Sequence, residues 1–420
     1  MTKFTLSRRE FLIGATAATA AVWLTAEELA AQESAGTAPA GPPVNCAVIG
    51  CGIRGKELLT ALARFPNAAV TGICDTYEPF LTRGKESAPN AATLLDYMQI
   101  LGKKEIEAVF VATPSGLHKD IVLAALQAGK HVYCEAPMAI DVDDCKAMAK
   151  ASLGEKQIFQ IGQQLRANPM RKHVSRFVKS GSLGDMIEAR AQWHKRQSWK
   201  RAAATPEREA ELNWKVSSKT SAGLIGEVGL HQIDLMSWYM AAVPTCATGV
   251  GSVMAWKDGR DVADTVQCVI EYPNGARMLY DATLGNSFDG DYELLQGTYG
   301  AILMRRQHAW MVREADSPML DWEVYARKEK IGDESGIVLL ADSTKLIAEG
   351  KEPGKDAVVD TTKDELYYSV EEFLTNVRAG SKPSCGPQEG YRAAVTAIKV
   401  NEAVVNGSKI IFQKEWFDLA

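Results

Sequence analysis

The apolar positions of this chain change period along its length, and the changes outline two domains. Residues 46–49 (Cys46, Ala47, Val48, Ile49) are apolar without interruption, as in a short strand buried on both faces. After a glycine-rich break, Leu58, Leu62 and Phe65 recur on a helical stripe, with Arg54, Lys56, Glu57 and Arg64 off it. Strand-like runs return at 70–74, 107–113, 131–134 and 157–161, and a helix over 118–128 is stopped by Gly129. Strands alternating with helices predict an α/β, Rossmann-type domain with a parallel sheet over residues 44–165.

Beyond residue 165 the pattern is different. A helix over 170–179 ends near Gly181, and strand-like segments follow at 186–194, 245–256, 262–272, 276–284, 291–296 and 299–304. Pro273-Asn274-Gly275 is a hairpin signal, and one helix, 224–240, interrupts the run. Short connections predict an α+β domain over 166–363 with an open, mostly antiparallel sheet. Two helices, 364–379 and 387–406, fall within a closing segment (364–420) expected to brace the first domain.

The glycine-rich break is Gly50-x-Gly52-x-x-Gly55, set between a strand and a helix. Gly50 permits a tight turn, Gly52 lets a pyrophosphate approach the backbone, and Gly55 lets the helix lie close to the sheet. With Ile53 and Arg54 between them, these residues offer the helix N-terminus to phosphates. The next strand ends at Asp75, placed to accept hydrogen bonds from a ribose 2′-OH and to repel a 2′-phosphate, so the cofactor read here is NAD rather than NADP. Two further strand ends, Thr113-Pro114 through His118 and Glu135 through Pro137, converge on the same crevice. His118 either contacts the cofactor or caps its helix.

Composition narrows the partners. A net charge of −5 argues against a nucleic-acid footprint, which needs a basic face. Ser7-Arg8-Arg9-Glu10-Phe11-Leu12 and the Ala-rich stretch after it read as a twin-arginine signal over residues 1–31, with a linker over 32–43. That stretch is too short and too weakly apolar for a membrane span. The expectation is a periplasmic or otherwise exported protein, folded around its dinucleotide before export and not inserted stably in a membrane. The eight cysteines form no C-x-x-C pair and fall mostly in apolar runs, so they read as buried hydrophobes; no metal-ligand cluster is expected.

The motifs Ala47-Val48-Ile49-Gly50-Cys51-Gly52, Ala112-Thr113-Pro114-Ser115-Gly116-Leu117-His118, Ala128-Gly129-Lys130-His131-Val132-Tyr133-Cys134-Glu135-Ala136-Pro137 and Glu227-Val228-Gly229-Leu230-His231-Gln232-Ile233-Asp234, in that order, resemble the glucose–fructose oxidoreductase / inositol dehydrogenase (Gfo/Idh/MocA) family from about residue 44 to 412. The resemblance implies NAD(P)-linked redox chemistry on sugars or polyols and a homo-oligomer formed through the open sheet. One departure stands out: where the family has Glu-Lys-Pro, this chain has Glu135-Ala136-Pro137, and alanine can neither stabilise an alkoxide nor carry a proton.

Glu227, His231 and Asp234 are spaced i, i+4, i+7 on the predicted helix, on one face. Histidine suits removal of a hydroxyl proton, and a carboxylate one turn away can fix its tautomer. The same spacing suits a helix cap or an interdomain polar cluster. The resemblance implies His231 as acid/base with Glu227 beside it, and Asp234 holding substrate hydroxyls. It also brings Gln164 and Arg166 toward nicotinamide and substrate. Lys195, Lys215 or Lys219 is available to stand in for the lysine missing at Ala136. Trp193, with Trp199 and Trp214, suits either the apolar face of a sugar or core packing. The function expected is NAD-dependent oxidation of a CH–OH group in a sugar or sugar derivative; a redox-neutral, NAD-dependent glycoside hydrolase is the alternative, and a non-catalytic sugar-binding relative a third.

Overall fold

The computed structural model describes residues 41–320, 323, 326–339 and 362–419. The twin-arginine stretch and most of the linker lie outside them. The first domain runs β1 (Val44–Ile49), α1 (Ile53–Leu62), β2 (Ala68–Cys74), α2 (Glu78–Ser87), β3 (Ala92–Leu94), α3 (Tyr97–Leu101), β4 (Ala108–Val111), α4 (His118–Gln127), β5 (His131–Cys134), α5 (Val142–Ser152) and β6 (Phe159–Ile161). Its sheet has the order β3-β2-β1-β4-β5-β6 with every pairing parallel. Chain order reverses between β1 and β4, which opens a crevice beyond their C-terminal ends.

The second domain opens with α6 (Pro169–Lys179) and β7 (Met186–His194) and continues through α7 (Pro206–Leu212), α8 (Leu230–Tyr239), β8 (Cys246–Ser252), β9 (Thr265–Glu271), β10 (Arg277–Thr283), β11 (Asp291–Gly297), β12 (Gly300–Arg305), β13 (His308–Arg313), β14 (Lys328–Ile331) and β15 (Glu334–Val338). Then come α9 (Glu365–Ala379), α10 (Pro387–Asn406) and β16 (Ile410–Ile411). The ten-stranded sheet has the order β14-β15-β13-β12-β11-β7-β10-β9-β8-β16. It is antiparallel except where β7 runs parallel to β10. That strand is followed by a long excursion rather than a hairpin, so it is free to enter the middle of the sheet in either direction. The Pro273–Gly275 signal is a true hairpin between β9 and β10, with Gly275 at φ +83°.

Two closing helices tie the domains together. On α9, Phe373 stands edge-on to Phe110 and Tyr133, with centroids 5.1 and 5.7 Å away, and Arg378 grips Glu107 with two bonds of 2.6 and 3.0 Å. On α10, Tyr391, Ala394, Val395 and Ile398 join the core of the first domain, while Ala393, Ala397, Val400 and Val404 join that of the second. The helix is a shared wall. Its small residues let it lie close: a methyl on Gly390 would meet Ile161 Cγ1 at 2.3 Å. Fixing both domains to one helix sets the width of the cleft between them.

The predicted helix 224–240 is two pieces. A wide i→i+5 turn over Ile225–Gly229 precedes α8. Such a turn holds an extra residue, so the α-helical spacing of Glu227, His231 and Asp234 does not carry across it.

Candidate active site

The glycine turn is built as its spacing requires. Gly50 has φ +92°, and a methyl there would lie 2.6 Å from Ala112 O; one on Gly55 would lie 1.8 Å from Gly50 O. Gly52 precedes α1 with no side chain capping it, so the helix N–H groups stay open, and Ile53 is exposed beside them. Asp75 Oδ2 accepts from Cys51 N at 2.7 Å and Oδ1 from Tyr77 N at 2.8 Å, tying the turn to the end of β2. Each oxygen keeps a lone pair for a ribose hydroxyl.

The Arg54 side chain is held between two carboxylates. Its Nε lies 3.0 Å from Glu135 Oε1, and Nη1 bonds Glu57 at 2.7 Å. His118 also differs from both expectations. It is fully buried, with its ring nitrogens 3.0 Å from Thr113 O and Pro137 O, and it neither caps α4 nor has a nitrogen left for a cofactor. Its work is to pin the loop after β4 to the loop after β5. Burial pushes its pKa down.

Unpaired buried polar atoms collect at the ends of β4 and β6. Among the described residues, Thr113 Oγ1 and both amide atoms of Gln163 have no hydrogen-bond partner. Buried polar atoms without partners are costly, and three at one sheet edge fit an edge that receives a polar ligand. Pro114 leads the short turn Ser115–Leu117 between them. Gln164, expected here, opens the turn after β6, and it is the preceding Gln163 whose amide is buried and free. A one-residue ambiguity between adjacent glutamines is invisible to pattern reading.

From the second domain come Glu227, His231 and Lys215. Glu227 is buried, its Oε1 accepting from Ala222 N at 3.1 Å and from the hydroxyls of Ser221 and Ser115 at 3.3 Å. The expected Glu227–His231 hydrogen bond is not formed, because the wide turn aims the carboxylate at these donors. Burial raises the pKa of Glu227, against the pull of Lys215. Burial of His231, aided by the charges of Arg54 and Lys215, pushes its pKa down to about 4. Glu135 is raised by burial, with Arg54 opposing. Lys215 Nζ sits 5.3 Å from the ring centre of Trp199 and 5.2 Å from that of Trp214.

Two expected substrate ligands are committed to each other. Arg166 Nε and Nη2 bond the two oxygens of Asp234 at 2.7 and 2.8 Å, both side chains buried. This bidentate pair takes one lone pair on each oxygen of Asp234 and buries both partners, so the carboxylate is engaged with Arg166 rather than offered to a substrate hydroxyl. Trp193 packs against the core of the second domain, the packing alternative of its two readings. Ser115, Ser221 and Gln163 went unnoticed in the sequence, since single Ser and Gln residues carry no periodic signal.

Residues 44–163 match the model of the oxidoreductase family with an NAD-binding Rossmann fold, and residues 172–303 that of the GFO/IDH/MocA C-terminal domain. The chain belongs to the Gfo/Idh/MocA oxidoreductase family. Among its relatives is the 2,7-anhydro-N-acetylneuraminate hydratase of Escherichia coli, 24% identical over 86% of this chain and 94% of that protein. Another is inositol 2-dehydrogenase 2 of Saccharopolyspora erythraea, 27% identical over 62% of this chain and 72% of that one. A solved levoglucosan dehydrogenase, in complex with NADH and L-sorbose, superposes with a TM-score of 0.72 at 19% identity, over 88% of this chain and 99% of that one. The family cofactor is NAD, and the open α1 terminus, Asp75 and the unpaired atoms of Thr113 and Gln163 fit it.

Proposed function

We propose that the protein oxidises a secondary hydroxyl of a sugar or sugar derivative in the cleft between the strand ends of the first domain and residues 214–231. NAD, when bound, supplies the hydride acceptor. His231 takes the hydroxyl proton. The observation that carries this reading is the meeting of the two domains around Glu227, which accepts from Ser115 of the first and from Ser221 and Ala222 N of the second, on the helical segment that carries His231; the charges of Arg54 and Lys215 act on the same imidazole. Their charges favour an oxygen that is losing its proton, as the site needs while hydride leaves carbon. Glu227 is a positioning residue: bound to Ser115 of the first domain and to Ser221 and Ala222 N of the second, it sets the height of the cleft. Lys215 takes the place of the lysine absent at Ala136, since its charge reaches Glu135, Glu227 and His231 alike. Relatives named as levoglucosan and inositol dehydrogenases support a polyhydroxy substrate.

The deciding experiment supplies NAD and a panel of sugars and anhydro sugars and follows absorbance of reduced nicotinamide. Lasting reduction with no bond cleavage supports dehydrogenation. The hydratase relative favours a second reading, a redox-neutral reaction in which hydride is borrowed and returned; glycoside cleavage without lasting reduction would select it.

Two features extend the proposal. The Ser7-Arg8-Arg9 motif supports export by the twin-arginine route, and fractionation of an R8K/R9K double variant tests it: retention in the cytoplasm is expected. The outer face of the second sheet supports a homo-oligomer. Val269, Leu279, Arg190, Leu294, Leu303 and Trp310 form one cross-strand row on it, largely apolar, and Leu279 is 39% exposed. Leu279→Glu should shift the sedimenting species toward monomer.

A further inference from the structure

Between β7 and the wide turn the chain makes an excursion, residues 195–223, that belongs to the second domain by its anchors. Arg260 bonds Ser198 O, Lys200 Nζ bonds Asp258 O, and Ser218 N bonds Asp261 at 2.7 Å. Its neck is closed by Asn213, which accepts from Arg201 N at 2.7 Å and donates to Arg201 O at 2.8 Å. The tip beyond that neck is α7, which has no buried residue of its own. Yet the tip reaches the first domain. The Arg208 guanidinium lies 3.8 Å from the ring centre of Tyr77 and 5.2 Å from that of Phe80. Both aromatic residues stand at the nucleotide loop: Tyr77 N bonds Asp75, and Phe80 lies 3.8 Å from where a methyl on Gly52 would be. A second touch occurs farther along, where Thr220 O lies 3.8 Å from the methyl position of Gly116. The excursion therefore spans the crevice from the end of β2 to the end of β4.

Arg208 is incompletely satisfied there. Nη1 bonds Glu211 at 2.6 Å, but Nε is buried with no acceptor among the described residues. Asp75, at the start of the same loop, already accepts two backbone N–H bonds. A guanidinium N–H without an acceptor, separated from an open helix N-terminus by the ring of Phe80, is chemistry matched to an anion such as a dinucleotide diphosphate.

We propose that Arg208 is a cofactor-retaining residue, stacked on Tyr77 and giving its free N–H to the adenosine-diphosphate half of NAD, so that α7 must lift before the nucleotide leaves. This rests on NAD binding and not on the identity of the substrate. The test measures release of NADH from the full chain by displacement with excess NAD, for wild type, Arg208→Ala and Arg208→Lys. Reduced nicotinamide mononucleotide, which lacks the adenosine half, serves as the control ligand. A charge-assisted bond of this kind predicts NADH release faster by on the order of tenfold to a hundredfold in Arg208→Ala. Arg208→Lys should fall between, and mononucleotide release should not change. Unchanged NADH release, or equal acceleration for both nucleotides, would overturn the proposal. No sugar enters the measurement, so its outcome is independent of whether the dehydrogenase reading survives.

Discussion

Asp234 meets a full counter-charge in Arg166, at 2.7 and 2.8 Å, whereas Glu227, earlier in the same helical segment, meets only two hydroxyls and one backbone N–H at 3.1–3.3 Å. Both carboxylates are buried. The difference lies in what each faces. Asp234 looks across at the turn after β6 and closes a buried bidentate ion pair, which fixes one element against another. Glu227 looks into the cleft, with its nearest cation, Lys215, acting only at a distance. Burial raises its pKa because neutral donors compensate a carboxylate less than a guanidinium does. Polar groups from one helix thus divide into a structural pair and a chemically responsive cluster, and a contacting counter-charge, not residue type or the number of hydrogen bonds, draws the line.

The comparison can be broken at several points. The largest effect is expected from His231→Ala, which should slow hydride transfer by about 10²–10⁴-fold while NADH binding is kept; single-turnover kinetics measure both. Full activity would remove His231 from the responsive cluster. Next comes Asp234→Ala, which strands a buried guanidinium and should cost about 3–5 kcal/mol in denaturant unfolding. Replacing the pair together, Arg166→Met with Asp234→Leu, should recover most of that loss; if it does not, the pair does more than hold the fold. Lys215→Met should slow turnover by about tenfold to a hundredfold, as expected for loss of one preorganised charge. It should also raise the pKa of His231, because a positive charge that disfavours imidazolium is gone. The acid limb of the pH–rate profile should therefore move up from about 4 toward the value of a free imidazole, and NMR titration of the ring checks the same shift.

The smallest effect concerns acid stability. His231 and His173 are each pushed down to about 4, chiefly by burial. A free imidazole titrates near 6.5, so between the two values the unfolded chain binds more protons. The stability these groups confer is whole above about pH 6.5 and is lost as pH falls toward 4. His173→Leu should flatten that loss by on the order of 1 kcal/mol, read as a lower acid-unfolding midpoint.

Sequence pattern alone located the glycine turn, Asp75 and most long elements, with 387–406 matching α10 end to end, though α2 and α5, of ten and eleven residues, were missed. Those features depend on local spacing: a period of 3.6 or 2, a glycine where a side chain collides, an acid at the next strand end. Short pieces such as β3, α7 and β16 escaped, being too brief to show a period. Partnership escaped as well. Nothing near His118 in the chain shows that its ring would bridge Thr113 O and Pro137 O, nor that Arg166 would take Asp234. The wide turn at 225–229 was hidden too, since an extra residue in a helix leaves composition unchanged yet redirects Glu227. The order of residues fixed which groups were available and on which elements; only tertiary packing chose their partners. An ion pair or a buried hydrogen bond depends on distance in space, and the cleft places Arg54, Lys215 and His231 within reach of one another though they are far apart along the chain.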